Sequence, residues 1–121
     1  ARSQVFFYHF SHRQPLPDIA FAEGQGAALG AFHTAEIPYV FGSFAARHYE
    51  WREEDMALSE AMMSYWVNFA KAGDPNGCGL PQWPPLDPAA QTIMHFNGEA
   101  RPGDLPERDL LDLWDDCMSR L

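Results

Sequence analysis

Hydrophobic and polar residues follow patterns along this chain that first predict two strands. The first ten or so residues contain an aromatic, β-rich and almost uncharged run, Gln4–Phe10, which is typical of a buried strand. Residues 13–30 contain two prolines and three glycines, a composition that favours a loop. Residues 91–97 predict a second, short strand. Because two strands make a poor independent sheet, the pattern indicates a sheet that is incomplete on its own.

A helical pattern between about residues 54 and 71 predicts the first long helix. Its apolar residues recur at offsets of four, three and four and form one stripe, which we predict to lie in the core: Leu58, Met62, Tyr65 and Phe69. The neighbouring Trp66 is predicted to be buried as well. Gly73 stands where a left-handed residue commonly ends a helix, and a turn sequence, DPNG, follows it.

A second long helix is predicted from about residue 105 to residue 120. Asp104 can cap its N-terminus, and Pro106 suits its first turn. Four residues are predicted to form its buried face: Leu110, Trp114, Cys117 and Leu121. A short helical turn is also predicted near Glu36. Together these elements predict an α/β fold with two strands and two long helices.

The composition is that of a packed chain of one domain, with 121 residues, 46% of them hydrophobic and 14% aromatic. Eight basic and seventeen acidic side chains give a net charge of −9, which disfavours binding to nucleic acids or to anionic membrane surfaces. No apolar run approaches the roughly 20 residues that a membrane-spanning helix needs. No signal-peptide pattern is visible, so we expect a removed leader or a piece of a longer protein.

The cysteines and histidines do not have the spacing of a metal site. Cys78 and Cys117 are too few and too far apart for a zinc knuckle or a disulfide scaffold; we expect two unrelated thiols, with a single bridge as the alternative. His9 and His12 form an H-x-x-H pair, but residues three apart on a strand point to opposite faces. The glycine spacing within residues 24–30 is one residue too long for a dinucleotide fingerprint. We therefore predict neither a metal nor a cofactor.

A histidine and a glutamate interrupt the otherwise apolar segment Gly30–Gly42, whose sequence is GAFHTAEIPYVFG. Buried titratable groups need partners, because burial without them is costly. His33 follows a glycine-rich loop and precedes apolar residues, a placement that suits a general base at a loop tip beside a cleft. A structurally satisfied histidine is the alternative. Glu36 shares a face with His33 if a helical turn begins there, and is otherwise a surface or capping carboxylate.

The serines of the chain do not supply a hydrolase nucleophile. None stands in the G-x-S-x-G sequence that presents the serine of an α/β-hydrolase; Ser43 follows Gly42 but lacks the flanking glycines. In that fold the serine and the acid precede the histidine. The carboxylates before His33 are Asp18 and Glu23, and neither is a convincing triad acid. The chain thus contains a candidate base without a nucleophile.

Three motifs, in order, resemble the type-B carboxylesterases, the family that includes the cholinesterases. The sequence G-x-x-H-x-x-E-I-P-Y-V-F-G at 30–42 resembles the segment that carries the catalytic histidine of the family. The sequence Y-W-x-N-F-A-x-x-G-D-P-N at 65–76 and the tryptophan-proline segment at 82–86 resemble two further blocks. Residues 5–13 resemble the strand that precedes the histidine loop in this family, and the terminal helix with Trp114 resembles its closing helix. The resemblance covers nearly the whole chain.

The resemblance implies an α/β-hydrolase fold, in which residues 1–121 form the C-terminal part of a single catalytic domain. It implies that His33 is the general base of a Ser–Glu–His triad whose serine and glutamate lie upstream. Glu36 matches a glutamate of the hydrogen-bonded network behind the active site. Thr34, which replaces a glycine of the cholinesterases, and Pro38-Tyr39 point to the bacterial branch.

The activity implied is hydrolysis of a small-molecule carboxylic ester by the complete protein, without a cofactor. The partner implied for this chain is the remainder of the same hydrolase domain, and the chain alone is expected to be inactive. The alternative is a non-catalytic, cholinesterase-like interaction module, although retention of His33 weighs against it. A third possibility is an autonomous small domain.

Overall fold

The computed structural model describes residues 3–17 and 29–120, which fold into three strands and three α-helices. The elements in chain order are β1 (Tyr8–Phe10), α1 (Ile37–Phe41), a 3-10 turn (Phe44–Ala46), α2 (Glu53–Ala72), β2 (Thr92–Asn97), β3 (Glu99–Asp104) and α3 (Arg108–Met118). Asp18, Glu23, the glycines at 24 and 26, and Leu121 lie outside the described residues. None of the helices within these ranges is both long enough and apolar enough to cross a membrane.

The three strands form one mixed sheet in the order β1-β2-β3. β1 runs parallel to β2, with Tyr8 opposite Met94, and β2 runs antiparallel to β3, with Met94 opposite Pro102. β2 is the central strand, and its residues Ile93, Met94 and Phe96 are fully buried. Within the described ranges β1 pairs with β2 alone, so its other edge is open.

The sequence predicts two strands, and this prediction is wrong, since the structure has a third strand, β3. Its sequence, EARPGD, contains Pro102 and Gly103, which are disfavoured in strands, but a proline is tolerated in an edge strand. The neglected signal is Asn97-Gly98, since an Asn-Gly pair between extended segments strongly indicates a hairpin. Gly98 has φ 74°, a conformation that glycine adopts without strain. β1 is also shorter than predicted, with three residues.

The long helix α2 begins one residue before and ends one residue after its predicted bounds. Its first turn carries three acidic residues, which interact favourably with the positive end of the helix dipole. Gly73 has φ 71° and donates its N–H to the carbonyl of Phe69 at 2.7 Å, as expected of a left-handed C-cap. The predicted stripe is confirmed at Leu58, Met62 and Tyr65, which are buried.

Aromatic residues fill the core between α2 and the sheet. Trp83 lies at its centre, with its ring centroid 5.3 Å from that of Tyr65 and 5.5 Å from that of Phe96. Trp66 is partly buried against this cluster. Phe69 is 49% exposed, so the prediction that it is buried is wrong. It lines an apolar groove together with Val5, Phe6 and Trp66, among others, and this groove is open in the described structure.

The terminal helix α3 differs most from its prediction. It begins at Arg108 after Glu107, not after Asp104, which is the last residue of β3. None of its residues is buried, and Trp114 is 65% exposed. The predicted buried face is therefore wrong at its described positions, which include Leu110 and Cys117. Periodicity identifies the apolar side of a helix, but it does not supply the surface that would cover that side.

Candidate active site

His33 lies in the turn that precedes α1, and its side chain is exposed. Gly30, with φ 57°, and Thr34, with φ 72°, adopt left-handed conformations on either side of it, and the N–H of Ala35 closes the turn on the carbonyl of Phe32 at 3.0 Å. Among residues 3–17 and 29–120, no side chain or backbone group forms a hydrogen bond with the imidazole. The predicted placement on a loop with an open face is confirmed, whereas the catalytic role of His33 stays a prediction.

Glu36 occupies the N-cap position of α1, as the predicted helical turn requires. Its carbonyl accepts hydrogen bonds from the N–H groups of Tyr39 and Val40, both at 3.0 Å. The partly buried carboxylate does not cap the helix. Burial raises the pKa of Tyr8, and the negative charge of Glu36 raises it further.

The residues that begin and end the short helix α1 favour its conformation and its close packing against α2. Pro38 stands in its first turn, where a missing N–H carries no cost, and Gly42 ends it with φ 59°. A Cβ added to Gly42 would lie 2.9 Å from the sulfur of Met63, so this glycine also allows α1 to approach α2 closely. Ala35 and Tyr39 are completely buried beneath the turn.

A buried carboxylate that the sequence analysis did not single out lies under α1. Asp55 is 0% exposed, and its Oδ1 accepts a hydrogen bond from the Tyr39 hydroxyl at 2.6 Å. The same oxygen lies 2.7 Å from Nε2 of His12. Its Oδ2 accepts hydrogen bonds from the backbone N–H and the Nε–H of Arg52, at 2.8 and 2.9 Å. We refer to His12, Tyr39, Arg52 and Asp55 as the polar cluster.

The electrostatics of the polar cluster favour a charged Asp55 and a neutral Tyr39. Burial by itself would raise the pKa of Asp55, but hydrogen bonds from Arg52, Tyr39 and His12 outweigh it and lower the pKa to about 2. Burial, followed by the hydrogen bond to Asp55, raises the pKa of Tyr39 well above its ordinary value. The hydrogen bond to Asp55 raises the pKa of Arg52. Tyr39 is therefore a stable donor to an ionised acceptor at neutral pH.

The hydrogen bonds of His12 assign its tautomer. Nδ1 accepts the N–H of Gly98 at 2.9 Å, so the ring proton belongs on Nε2, which donates it to Asp55. His9 lies on β1 and is exposed, whereas His12 follows β1 and is buried. Both cysteines, Cys78 and Cys117, are exposed free thiols, which confirms the expectation of two unrelated residues. Within the described part of the chain, no three metal-binding side chains cluster.

Two further hydrogen bonds fix the backbone around Glu36. The Gln14 side chain donates to the carbonyl of Ala35, and the Ser59 hydroxyl donates to the carbonyl of Tyr39 at 2.8 Å.

The sequence pattern does not predict the polar cluster, because His12 and Asp55 are 43 positions apart. The local signal was Asp55 itself, which stands three residues after Arg52 in the first turn of α2.

The described fold matches part of an esterase with the α/β-hydrolase fold. The solved structure of a "thermophylic PNB esterase" superposes with a TM-score of 0.72 and 25% sequence identity. The match covers 90% of this chain and 21% of that structure. The mixed sheet and its flanking helices are thus a segment of a larger α/β architecture.

Residues 1–114 match the model of the Carboxylesterase family, and the chain belongs to that family. It is 37% identical to human cocaine esterase over 116 residues, which are 94% of this chain and 20% of that protein. It is 42% identical to mouse carboxylesterase 5A over 119 residues, again 94% of this chain and 20% of that protein. The chain therefore spans about a fifth of the length of these curated relatives.

Proposed function

We propose that this chain supplies the general base, His33, of a carboxylesterase whose catalytic serine and glutamate belong to the remainder of the protein. Residues 1–121 are then the C-terminal part of one α/β-hydrolase catalytic domain. The observation that carries the proposal is an exposed histidine on a turn fixed from beneath, in a member of the Carboxylesterase family. The features at Thr34 and Pro38-Tyr39 favour the bacterial branch, which stays a prediction.

In the proposed reaction, His33 accepts the proton of the serine hydroxyl as that oxygen attacks the carbonyl carbon of a small-molecule carboxylic ester. The imidazolium then protonates the departing alcohol, which leaves an acyl-enzyme. His33 next accepts a proton from water as the water oxygen attacks the acyl carbonyl. The imidazolium then returns this proton to the serine oxygen as the acyl bond breaks, which releases the carboxylic acid and regenerates the serine and the neutral imidazole. Glu36, three residues after His33, is proposed to belong to the network that supports the active site, as the resemblance to the type-B carboxylesterases implies.

The open surfaces of the chain support a partner within the same domain. β1 leaves an edge unpaired among the described strands, and unpaired edges readily accept another strand. The apolar groove that contains Phe69 lies beside this edge, since Phe6 and Tyr8 line it as well. We propose that the remainder of the hydrolase domain covers both surfaces and supplies most of the substrate pocket.

The test is hydrolysis of short-chain p-nitrophenyl esters by three proteins: this chain, the complete protein and its His33→Ala variant. We expect the isolated chain to be no faster than free imidazole, because it lacks the serine, the triad acid and the oxyanion donors. We expect His33→Ala to lower kcat of the complete protein by roughly 10⁴- to 10⁶-fold.

His48→Ala is the matched control, since His48 is another exposed histidine in a loop. It should leave kcat unchanged. Equal activities of the wild type and the His33→Ala variant would remove His33 from the mechanism. A fast isolated chain would mean that it contains its own nucleophile.

A further inference from the structure

We propose that Tyr39 and Asp55 are positioning residues: the contact between the hydroxyl and the carboxylate fixes α1, and through α1 it fixes the turn that carries His33. Neither side chain is proposed to contact the substrate. This inference rests on the proposed catalytic role of His33 and goes beyond it, because it makes turnover depend on a buried contact under the active site.

The first step concerns the two helices that the contact joins. α1 has only five residues, and a helix so short is not stable by itself in water. α2 has 20 residues and carries Asp55 in its first turn. The hydrogen bond of 2.6 Å from Tyr39 to Asp55 therefore attaches a marginal element to a stable one.

The second step concerns the direction of the restraint. Ser59, one turn further along α2, donates to the carbonyl of Tyr39 at 2.8 Å, so both ends of this residue are held by the same helix. Gln14 holds the carbonyl of Ala35 from the segment after β1. The turn that contains His33 leads directly into these anchored positions. A displacement of α1 is therefore transmitted to the imidazole.

The third step is that the Tyr39 hydroxyl is not needed to compensate the buried charge of Asp55. Without it, Asp55 still accepts hydrogen bonds from Arg52, through backbone and side chain, and from His12. The carboxylate thus keeps charged and polar partners for both oxygens. The loss of the hydroxyl removes one of the two hydrogen bonds that join Tyr39 to α2, so α1 is held less firmly. A displacement of about 1 Å at a catalytic group can cost about 100-fold in rate.

The experiment compares two substitutions in the complete protein, each of which deletes one buried tyrosine hydroxyl. Tyr39→Phe removes the contact with Asp55. Tyr65→Phe is the control, because Tyr65 is equally buried on α2 but donates to the carbonyl of Pro81, at 2.5 Å, and not to α1. The readouts are kcat and KM for a short-chain p-nitrophenyl ester and the midpoint of urea unfolding.

We expect Tyr39→Phe to lower kcat by roughly 10- to 100-fold with KM nearly unchanged, because the substrate pocket is intact while the base is misplaced. Tyr65→Phe should leave kcat within about twofold. Equal changes in kcat for the two variants, including no change in either, would overturn the inference and leave a purely structural contact.

A second matched pair keeps the test decisive if Tyr39→Phe does not fold. Ser59→Ala removes the bond to the Tyr39 carbonyl, whereas Ser64→Ala removes a bond within α2, to the carbonyl of Glu60 at 2.8 Å. Only Ser59→Ala should lower kcat, and equal kcat in both variants would overturn the inference. The proposed function fails separately, if His33→Ala retains full activity in the same assay.

Discussion

The polar cluster and the terminal helix α3 differ in whether their side chains find partners within the described part of the chain. In the polar cluster, the fully buried carboxylate of Asp55 accepts hydrogen bonds from His12, Tyr39 and Arg52. By contrast, α3 leaves five large apolar side chains exposed: Leu110, Leu111, Leu113, Trp114 and Met118. Buried polar groups are costly unless paired, so the polar cluster must be complete. Exposed apolar groups cost less, so α3 can remain uncovered.

The difference shows where the chain is self-sufficient. Every donor to Asp55 comes from a described residue of the same chain, and these contacts hold the turn that carries His33. The unpaired edge of β1 and the apolar groove beside it are the surfaces that lack a partner in the described part of the chain. The support of the proposed base is thus local to this chain, whereas the proposed nucleophile and acid are not.

The largest effect on stability is expected from the core tryptophan. Trp83 is 4% exposed and its indole N–H donates to the carbonyl of Phe7 at 3.1 Å. Trp83→Ala should lower the free energy of unfolding by about 3–5 kcal/mol. Trp114→Ala is the matched control on α3 and should have a much smaller effect. Urea denaturation of the complete protein measures both, and equal losses would show that α3 is covered there, which would abolish the contrast.

Acidification should weaken the polar cluster selectively. Because the folded pKa of Asp55, about 2, is below the ordinary 3.8, its contribution to stability is present above about pH 4 and is lost as the pH falls towards 2. The part lost is about 2 kcal/mol. Unfolding free energies measured from pH 5 to pH 2 test this, and Asp55→Asn should flatten the profile. An unchanged slope in that variant would assign the acid sensitivity to other carboxylates.

The smallest effects concern the two glycines that end α1 and α2. Gly42 and Gly73 have φ values of 59° and 71°, so alanine is strained at either position and each substitution should cost about 1–2 kcal/mol. Gly42→Ala should be the worse of the two, because its new Cβ meets Met63, whereas no atom lies within 4 Å at Gly73. Thermal unfolding ranks the variants. The reverse order would mean that Met63 moves aside freely and that α1 is packed less tightly than α2.

Predictions from the sequence succeeded where the determining interactions are local. The bounds of α2, its cap at Gly73 and the turn around Glu36 all depend on residues within a few positions of one another. The placement of His33 on a loop was predicted for the same reason. β3 was missed although Asn97-Gly98 gave a local hairpin signal, because its proline is tolerated only at a sheet edge, and the edge position is a property of the sheet.

The sequence by itself determined the α/β character, the long helix and the exposed turn with His33, because hydrophobic periodicity, capping residues and motif spacing act over short distances. Only the tertiary structure decided that Asp55 would join Tyr39, Arg52 and His12, and that the apolar side of α3 would stay uncovered. The physical reason is that burial depends on what lies opposite a side chain. Opposite neighbours come from distant parts of the chain, and a one-dimensional pattern does not specify them.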